Sequence, residues 1–305
     1  MNQERFVYVS YIKTTPERLW EALTDRSLLR RIWGCDVTVG TKPGEPFEIS
    51  TDGEVSDRGV VLTYDRPRTL AYSFRYLPHE ETESRVTFTL EPKGDLVKLT
   101  LIHDDFQPES RTLRSVSGGW PLILGDMKSL LEGVDVDYKA ALASMEGGEV
   151  HTPLKTFIRT YIAASPERIW EALTSSDFTK VYFFGRTVHS DWQVGSPVEF
   201  RTEDGKLDVS GVVLKSEPPR LLSYTWKVEW IPEFKNLPDC WVAFEIEPYG
   251  NVSRLTLSEF HAEPLDEKLL EGGRQGWPVI FSGLKTLLET GEPLGLVEMS
   301  PPKLD

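Results

Sequence analysis

Hydrophobic and polar positions change their period three times along the first half of the chain. Residues 5–13 are rich in β-branched and aromatic side chains and predict a strand. Residues 15–24 then place Leu19, Trp20 and Leu23 on one stripe of a helix. The segments 69–76 and 86–91 alternate with a period of two, which is typical of antiparallel strands with one covered face. Residues 119–132 return to helical spacing and predict a long amphipathic helix.

The same order of segments occurs a second time. YIKTTPERLWEALT begins at Tyr11 and YIAASPERIWEALT at Tyr161, and the GVVL segment occurs at both Gly59 and Gly211. Later segments keep their order, so the chain contains a duplicated domain rather than short repeats. We predict one α+β domain at residues 1–147, a linker at 148–152, a second α+β domain at 153–297 and a tail at 298–305.

Both predicted C-terminal helices contain a proline directly after a Gly-Trp pair, at Pro121 and Pro278. A proline inside a helix removes one backbone hydrogen bond and costs about 3 kcal/mol. We therefore expect each helix to start at its proline or to be sharply kinked there. A helix broken at this point would provide a hinge through which a ligand could reach the interior.

The composition limits the classes of partner. The chain has 305 residues, of which 39% are hydrophobic, and this is enough for two ordinary cores. The formal net charge of −14 is shared equally by the two halves, so we expect no nucleic-acid and no membrane partner. The opening residues lack the pattern of a signal peptide, and we expect a cytoplasmic protein. The two cysteines, Cys35 and Cys240, are then expected to be free thiols.

Several segments, in this order, resemble the SRPBCC or START-like superfamily: PERLWEALTD, GVVL, PRTLAYSF, VTFTLEPKGDLVKLTLIHDDF and GGWPLILGDMKSLLEG. They are most similar to the branch named for the activator of the heat-shock protein 90 ATPase. The resemblance implies two tandem helix-grip domains, in each of which a curved antiparallel sheet wraps on the long C-terminal helix around a hydrophobic cavity. It implies functions from lipid and polyketide binding to cyclisation and co-chaperone work, and therefore shape more than chemistry. A histidine frequent in this branch matches His103, whereas the second copy has Glu259.

Aromatic residues of the alternating strands and of the long helices are the candidate wall of a ligand cavity. They are Tyr72, Phe74, Phe88 and Trp120 in the first copy and Tyr224, Trp226, Phe244 and Trp277 in the second. Such rings can hold a flat apolar ligand, with the tyrosine hydroxyls fixing its orientation. They can equally fill a hydrophobic core, as most residues of these types do.

A polar pair ends one strand in each copy. His103 with Asp105, and Glu259 with His261, continue the faces of the leucines before them. A carboxylate beside an imidazole suits general acid–base chemistry, and it equally suits a hydrogen-bonded strand end near the mouth of the cup. No nucleophile series, phosphate loop or metal spacing stands out, so we expect no catalytic residue, metal or cofactor.

The sequence therefore favours non-catalytic binding of an apolar small molecule in one or both domains. One alternative is a co-chaperone-like module that binds a protein partner, and another is a cyclase-type enzyme that uses His103 or His261. An open apolar cavity would favour the first function. A filled interior with an exposed apolar patch would favour the second. Convergent polar groups inside a cavity would favour the third.

Overall fold

A computed structural model describes residues 4–138, 141, 155–229, 240–263 and 267–295. The chain divides into two compact units, an N-terminal unit of residues 1–150 and a C-terminal unit of residues 151–305. The predicted linker at 148–152 and tail at 298–305 lie outside the described residues. The predicted boundaries themselves stay predictions.

The N-terminal unit is a curved antiparallel sheet with two short helices after its first strand and one long helix at its end. Its elements are β1 (Phe6–Ile12), α1 (Pro16–Thr24), α2 (Arg26–Trp33), β2 (Asp36–Val39), β3 (Pro46–Thr51), β4 (Glu54–Asp65), β5 (Thr69–Tyr76), β6 (Ser84–Lys93), β7 (Leu96–Asp104) and α3 (Arg111–Leu131). The sheet order is β1-β7-β6-β5-β4-β3-β2. The first strand therefore joins the last one, while the remaining strands follow as a meander.

The C-terminal unit repeats this arrangement. Its elements are β8 (Lys155–Ile162), α4 (Pro166–Thr174), α5 (Ser176–Tyr182), β9 (Thr187–His189), β10 (Pro197–Arg201), β11 (Leu207–Glu217), β12 (Leu221–Thr225), β13 (Lys227–Val228), β14 (Cys240–Tyr249), β15 (Val252–His261) and α6 (Glu267–Thr290). The sheet order is β8-β15-β14-β12-β11-β10-β9, and β13 pairs with β11. The predicted α+β class, with two tandem helix-grip domains, is confirmed.

The hydrophobic core of the N-terminal unit lies between the sheet and the helices. From α3 it includes Trp120, Leu124 and Met127, which belong to one cluster with Leu70 of β5 and Leu19 of α1. The amphipathic stripe read from the sequence is the face of α3 that contacts the sheet. In β5 Ala71 and Ser73 are buried as well, so on the predicted wet face of this strand only Arg75 is exposed.

The long helices begin well before their prolines. Of the two predicted alternatives, a helix start at Pro121 and Pro278 is therefore wrong, while a kink at these prolines stays a prediction. Helix α3 starts at Arg111 and α6 at Glu267, and each contains its proline in its interior. The start of α3 is stabilised from elsewhere in the sequence, because the Glu81 carboxylate accepts hydrogen bonds from the backbone N–H of Arg111 at 2.7 Å and of Thr112 at 3.3 Å. A carboxylate at a helix N-terminus accepts hydrogen bonds from the free N–H groups, and its negative charge interacts favourably with the helix dipole.

A buried ion pair joins the long helix of the N-terminal unit to its first strand. Lys128 Nζ lies 2.5 Å from Glu132 Oε1, and both side chains are 2% exposed. The ammonium also donates to the carbonyl oxygen of Tyr11 at 2.8 Å, and the carboxylate accepts from the N–H of Lys13 at 2.9 Å. Each buried charge is thus hydrogen-bonded to the backbone as well as paired.

The C-terminal unit contains the same device. Lys285 Nζ lies 2.5 Å from Glu289 Oε1 and donates to the carbonyl oxygen of Tyr161 at 2.6 Å. The N–H of Ala163 donates to the same carboxylate at 2.8 Å. The ion pair therefore belongs to the shared scaffold and does not distinguish the two units.

Candidate functional site

The four aromatic candidates of the N-terminal unit come together and are sealed. Tyr72, Phe74, Phe88 and Trp120 are each less than 5% exposed. The cavity beside them has a volume of about 10 Å³ and is lined only by apolar and aromatic residues. That is about the space one water molecule needs, whereas pockets for small-molecule ligands measure about 300–1,000 Å³. In this unit the rings fill the core.

The equivalent rings of the C-terminal unit also come together, with one difference. Tyr224, Phe244 and Trp277 are buried, but Trp226 is only partly buried. We define the aromatic cluster as the five rings centred on Trp226: Phe183, Phe200, Tyr224, Trp226 and Trp277. From the Trp226 centroid to the other four, the distances are 5.1–6.2 Å. The matching position in the N-terminal unit, Phe74, is 4% exposed.

His103 is completely buried and both of its ring nitrogens are hydrogen-bonded. The indole Nε1 of Trp120 lies 3.0 Å from Nδ1, and because an indole N–H can only donate, Nδ1 must accept. The imidazole proton is therefore on Nε2 and is donated to Ser84 Oγ at 2.8 Å. The Ser84 hydroxyl in turn donates to the carbonyl oxygen of Phe74 at 3.0 Å. Burial lowers the pKa of His103 from 6.5 to about 3, so the ring is neutral.

Asp105 does not join His103, and the prediction that the two share one strand face is wrong. Strand β7 ends at Asp104, and Asp105 follows in the left-handed region with a φ of 62°. Its carboxylate turns to Arg85, with 3.3 Å between the charged atoms. The period-two rule fails here because the strand ends one residue earlier than the pattern assumes.

Three polar side chains meet at the corresponding strand end of the C-terminal unit, and we define Cys240, Glu259 and His261 as the polar cluster. Their Sγ, carboxylate and imidazole atoms all lie within 4.8 Å of one another. Glu259 Oε1 is 3.8 Å from Cys240 Sγ and 3.5 Å from His261 Nε2. The predicted pairing of Glu259 with His261 is thus present, while Cys240 was expected only to be a free thiol.

The polar cluster adjoins the aromatic cluster. Trp277 Nε1 donates a 2.8 Å hydrogen bond to Glu259 Oε2, so Trp277 belongs to one cluster and fixes a member of the other. The His261 side chain is 3% exposed, and neither of its ring nitrogens has a hydrogen-bond partner among the described residues. Burial is the main cause that raises the pKa of the Cys240 thiol. Mixed sulfur, oxygen and nitrogen donors at this spacing are of the kind that binds a transition-metal ion.

The hairpin geometry explains why Cys240 is part of this site. Strands β14 and β15 meet at the turn after Tyr249, where Tyr249 pairs with Val252. Counting outward from that turn pairs Cys240 directly with His261. The EPYGN turn is visible in the sequence, so its register would have brought the cysteine to the histidine from sequence alone.

The sequence model of the family described as Activator of Hsp90 ATPase homolog 1-like protein matches residues 13–132 and 163–289. The chain belongs to this family. Each unit contributes one match, and each match begins directly after the first strand of its unit and continues to the end of the long helix. Membership thus covers both copies of the fold. None of the curated proteins compared with the chain matches it.

Three solved structures are among those to which this chain is similar, each with a TM-score below 0.5. MLL2253 of Mesorhizobium loti is 24% identical, with 45% of this chain and 98% of that chain covered and a TM-score of 0.40. The Hsp90 activator PFC0360w of Plasmodium falciparum is 24% identical, with 42% and 96% covered and a TM-score of 0.38. DynU16, from the dynemicin biosynthetic locus, is 13% identical, with 94% and 98% covered and a TM-score of 0.37.

Within the described residues, no helix has the length and apolar character needed to cross a membrane.

Proposed function

We propose that this protein binds an apolar, flat small molecule without catalysis, and that its C-terminal unit holds the ligand. The observation that carries the proposal is the partial exposure of Trp226 at the centre of the aromatic cluster. A large ring that contacts four others and still faces solvent offers a surface on which a planar molecule can stack. Such aromatic contacts contribute about 0.5–1.5 kcal/mol beyond the area that they bury.

The polar cluster supplies orientation at the edge of the same surface. Trp277 contacts Trp226 at 5.1 Å between centroids and donates its indole N–H to Glu259. A ligand that stacks on Trp226 therefore has polar groups within reach of one end. Small-molecule sites are mostly apolar with a few well-placed polar groups, and this arrangement has both.

The N-terminal unit lacks the features that we propose for the binding site. The cavity beside its rings has a volume of about 10 Å³, and Phe74 is buried where Trp226 is exposed in part. Its polar groups are used up internally, because His103 and Ser84 form a continuous series of hydrogen bonds that ends at a backbone carbonyl. We assign to this unit a structural role beside the binding unit.

A cyclase-type mechanism through His103 receives no support from the geometry. A general acid–base residue needs a pKa near the operating pH and contact with the substrate. His103 has a pKa lowered to about 3, is fully buried and has both nitrogens bonded within the protein. Since neither nitrogen of this ring is free, His103 gives no reason to propose catalysis.

A second candidate, binding of a protein partner, is favoured by one repeated surface feature. Val60 and Leu62 of β4 are 41% and 44% exposed, and Val212 and Leu214 of β11 are each 43% exposed. These pairs occupy the same positions of the GVVL repeat, on the side of the sheet away from the core. The family description, activator of Hsp90 ATPase homolog, is consistent with a protein partner.

Native mass spectrometry of freshly purified full-length protein separates the two candidates. We expect a noncovalent adduct of small-molecule mass at one per chain, which dissociates at raised collision energy. A chain that carries no such adduct, and that shows no adduct after incubation with the fluorescent apolar probe 1-anilinonaphthalene-8-sulfonate, would contradict small-molecule binding.

A further inference from the structure

The polar cluster contains two buried ring nitrogens that form no hydrogen bond within the described part of the protein. His261 is 5% exposed, yet neither ring nitrogen has a hydrogen-bond partner among the described residues. Its Nε2 faces Glu259 Oε1 at 3.5 Å without the alignment of a hydrogen bond. Leaving a buried polar group unpaired costs about 1–3 kcal/mol, so a ligand that bonds to one of these nitrogens would be stabilised by removing that cost.

The electrostatics of the cluster also call for a cation. Glu259 has a side chain that is 14% exposed, and across the described ranges no lysine or arginine forms an ion pair with it. The Cys240 thiol donates to the same carboxylate oxygen at 3.8 Å. A divalent cation would displace the thiol proton, and the resulting thiolate and the carboxylate would together neutralise its charge.

The spacing of the three donors suits a tetrahedral metal. With bonds of about 2.0–2.3 Å, a tetrahedral zinc ion separates its nitrogen, oxygen and sulfur donors by about 3.4–3.6 Å. The separations from Glu259 Oε1 are 3.5 Å to His261 Nε2 and 3.8 Å to Cys240 Sγ. Both are within a few tenths of an ångström of the tetrahedral separations, and one donor atom from each of the three residues lies within 4.8 Å of the other two.

The backbone holds these donors in place. Cys240 pairs with His261 across β14 and β15, and Glu259 is two residues before His261 on the same face of β15. Glu259 Oε2 is held by the Trp277 indole at 2.8 Å, which leaves Oε1 directed to the other two donors. A hydrogen bond of this type, to the non-coordinating atom of a ligand, is the usual support of a metal site.

The N-terminal unit provides an internal comparison. Its matching positions are Ser84, His103 and Asp105, and none of them is left unsatisfied. Ser84 and His103 bond to each other, and Asp105 turns away to Arg85. The C-terminal unit has exchanged these three residues for cysteine, glutamate and histidine, which are all residue types that bind zinc.

We propose that the C-terminal unit binds a zinc ion through Cys240 Sγ, Glu259 Oε1 and His261 Nε2, with the fourth position left for water or a ligand atom. Three mixed protein donors with one exchangeable position are the pattern of zinc sites that bind a further molecule. The proposal does not depend on the small-molecule function, because the metal is detected directly.

Cobalt(II) is the probe that tests this site. Full-length protein without an affinity tag is stripped with a chelator and titrated with Co²⁺. We expect a thiolate-to-cobalt charge-transfer band and the visible bands of tetrahedral Co²⁺, saturating at one ion per chain and displaced by Zn²⁺. Cys240→Ser should abolish the charge-transfer band, and His261→Gln should weaken binding at least roughly 100-fold, more than the 10–100-fold typical of supporting residues. Trp277→Phe should weaken binding about tenfold.

Cys35→Ser is the matched control, since Cys35 is the other free thiol and lies in the N-terminal unit. It should leave the spectrum unchanged. Circular dichroism of each stripped variant establishes that it is folded, and Glu259→Gln provides a further test if Cys240→Ser is not. Wild-type protein that is folded but gives no charge-transfer band would overturn the proposal. So would a band that survives in Cys240→Ser or disappears in Cys35→Ser.

Discussion

The indole N–H of Trp120 donates a 3.0 Å hydrogen bond to Nδ1 of His103. This one contact fixes the tautomer of the imidazole and commits its other nitrogen to Ser84. In the C-terminal unit the matching tryptophan, Trp277, donates instead to the carboxylate of Glu259. The same donor thus takes part in a closed series of hydrogen bonds in one unit and leaves His261 of the other without a hydrogen-bond partner among the described residues. The functional difference that we propose between the copies rests on this exchange.

Protonation of His103 should destabilise the N-terminal unit in acid. The folded pKa is about 3 and lies below the unfolded value of 6.5, so the unfolded chain binds more protons between these values. The stabilisation is complete above pH 6.5 and is lost as the pH falls toward 3. Between pH 7.5 and 4.5, we expect urea unfolding to show that wild type loses about 2–3 kcal/mol more than His103→Gln.

Comparing wild type with His103→Gln cancels the contributions of the other titrating groups, because both proteins contain them. Asp57, whose pKa burial raises to about 6, acts in the opposite direction but is present in both. Parallel pH profiles for wild type and His103→Gln would mean that the ring is not held neutral.

The same variant should leave ligand binding within about tenfold of wild type. A larger loss, of about 100-fold or more, would be typical of a catalytic acid–base group.

Breaking the buried ion pair of the long helix should be strongly destabilising. Lys128→Met leaves the Glu132 carboxylate buried without its partner, and we expect a loss of about 3–5 kcal/mol in the free energy of unfolding. The double variant with Glu132→Leu should lose less, since no uncompensated charge remains. Urea unfolding monitored by circular dichroism measures both. A double variant less stable than Lys128→Met would show that packing, and not charge, controls this position.

Substitution of the glycine in the repeated GVVL segment by a residue with a side chain should destabilise the fold for a steric reason. A Cβ on Gly59 would lie 1.7 Å from the carbonyl oxygen of Ser73, so Gly59→Ala should cost about 1–3 kcal/mol. Gly276 in α6 is the control, because a Cβ there meets nothing within 4 Å. Gly276→Ala should be neutral or stabilise by up to about 1 kcal/mol. Thermal unfolding of both variants tests the contrast, and equal Tm values would contradict it.

The fold could be predicted because each of its signals is local and occurs twice. Thr15 and Ser165, each followed by a proline, cap α1 and α4 by accepting the N–H of the third residue on at 3.3 Å in each case. The start of α3 also has a local cap, because the Ser110 hydroxyl accepts the N–H of Leu113 at 3.0 Å. In the sequence Pro121 outweighs this signal, and the second stabilising contact, from Glu81 about 30 residues upstream, exists only once the chain has folded.

The candidate site was predictable in part for the same reason. Ring positions such as Phe74 and Trp226 follow from alternation, but their different exposure depends on how tightly each interior is packed. The polar cluster can be predicted only by working out the register of β14 and β15 from their turn, since that register pairs Cys240 with His261. Asp105 left its predicted face because its strand ends at Asp104, and alternation contains no signal for where a strand stops.

Binding of 1-anilinonaphthalene-8-sulfonate to matched variants tests the central claim most directly. Trp226→Leu and Phe74→Leu remove the equivalent ring from the C-terminal and N-terminal units, and fluorescence titration measures the Kd of the probe in each. We expect one probe per wild-type chain, an affinity at least about tenfold weaker in Trp226→Leu, and one within about twofold of wild type in Phe74→Leu. Equal losses in the two variants, or a loss confined to Phe74→Leu, would contradict the assignment of the binding site to the C-terminal unit.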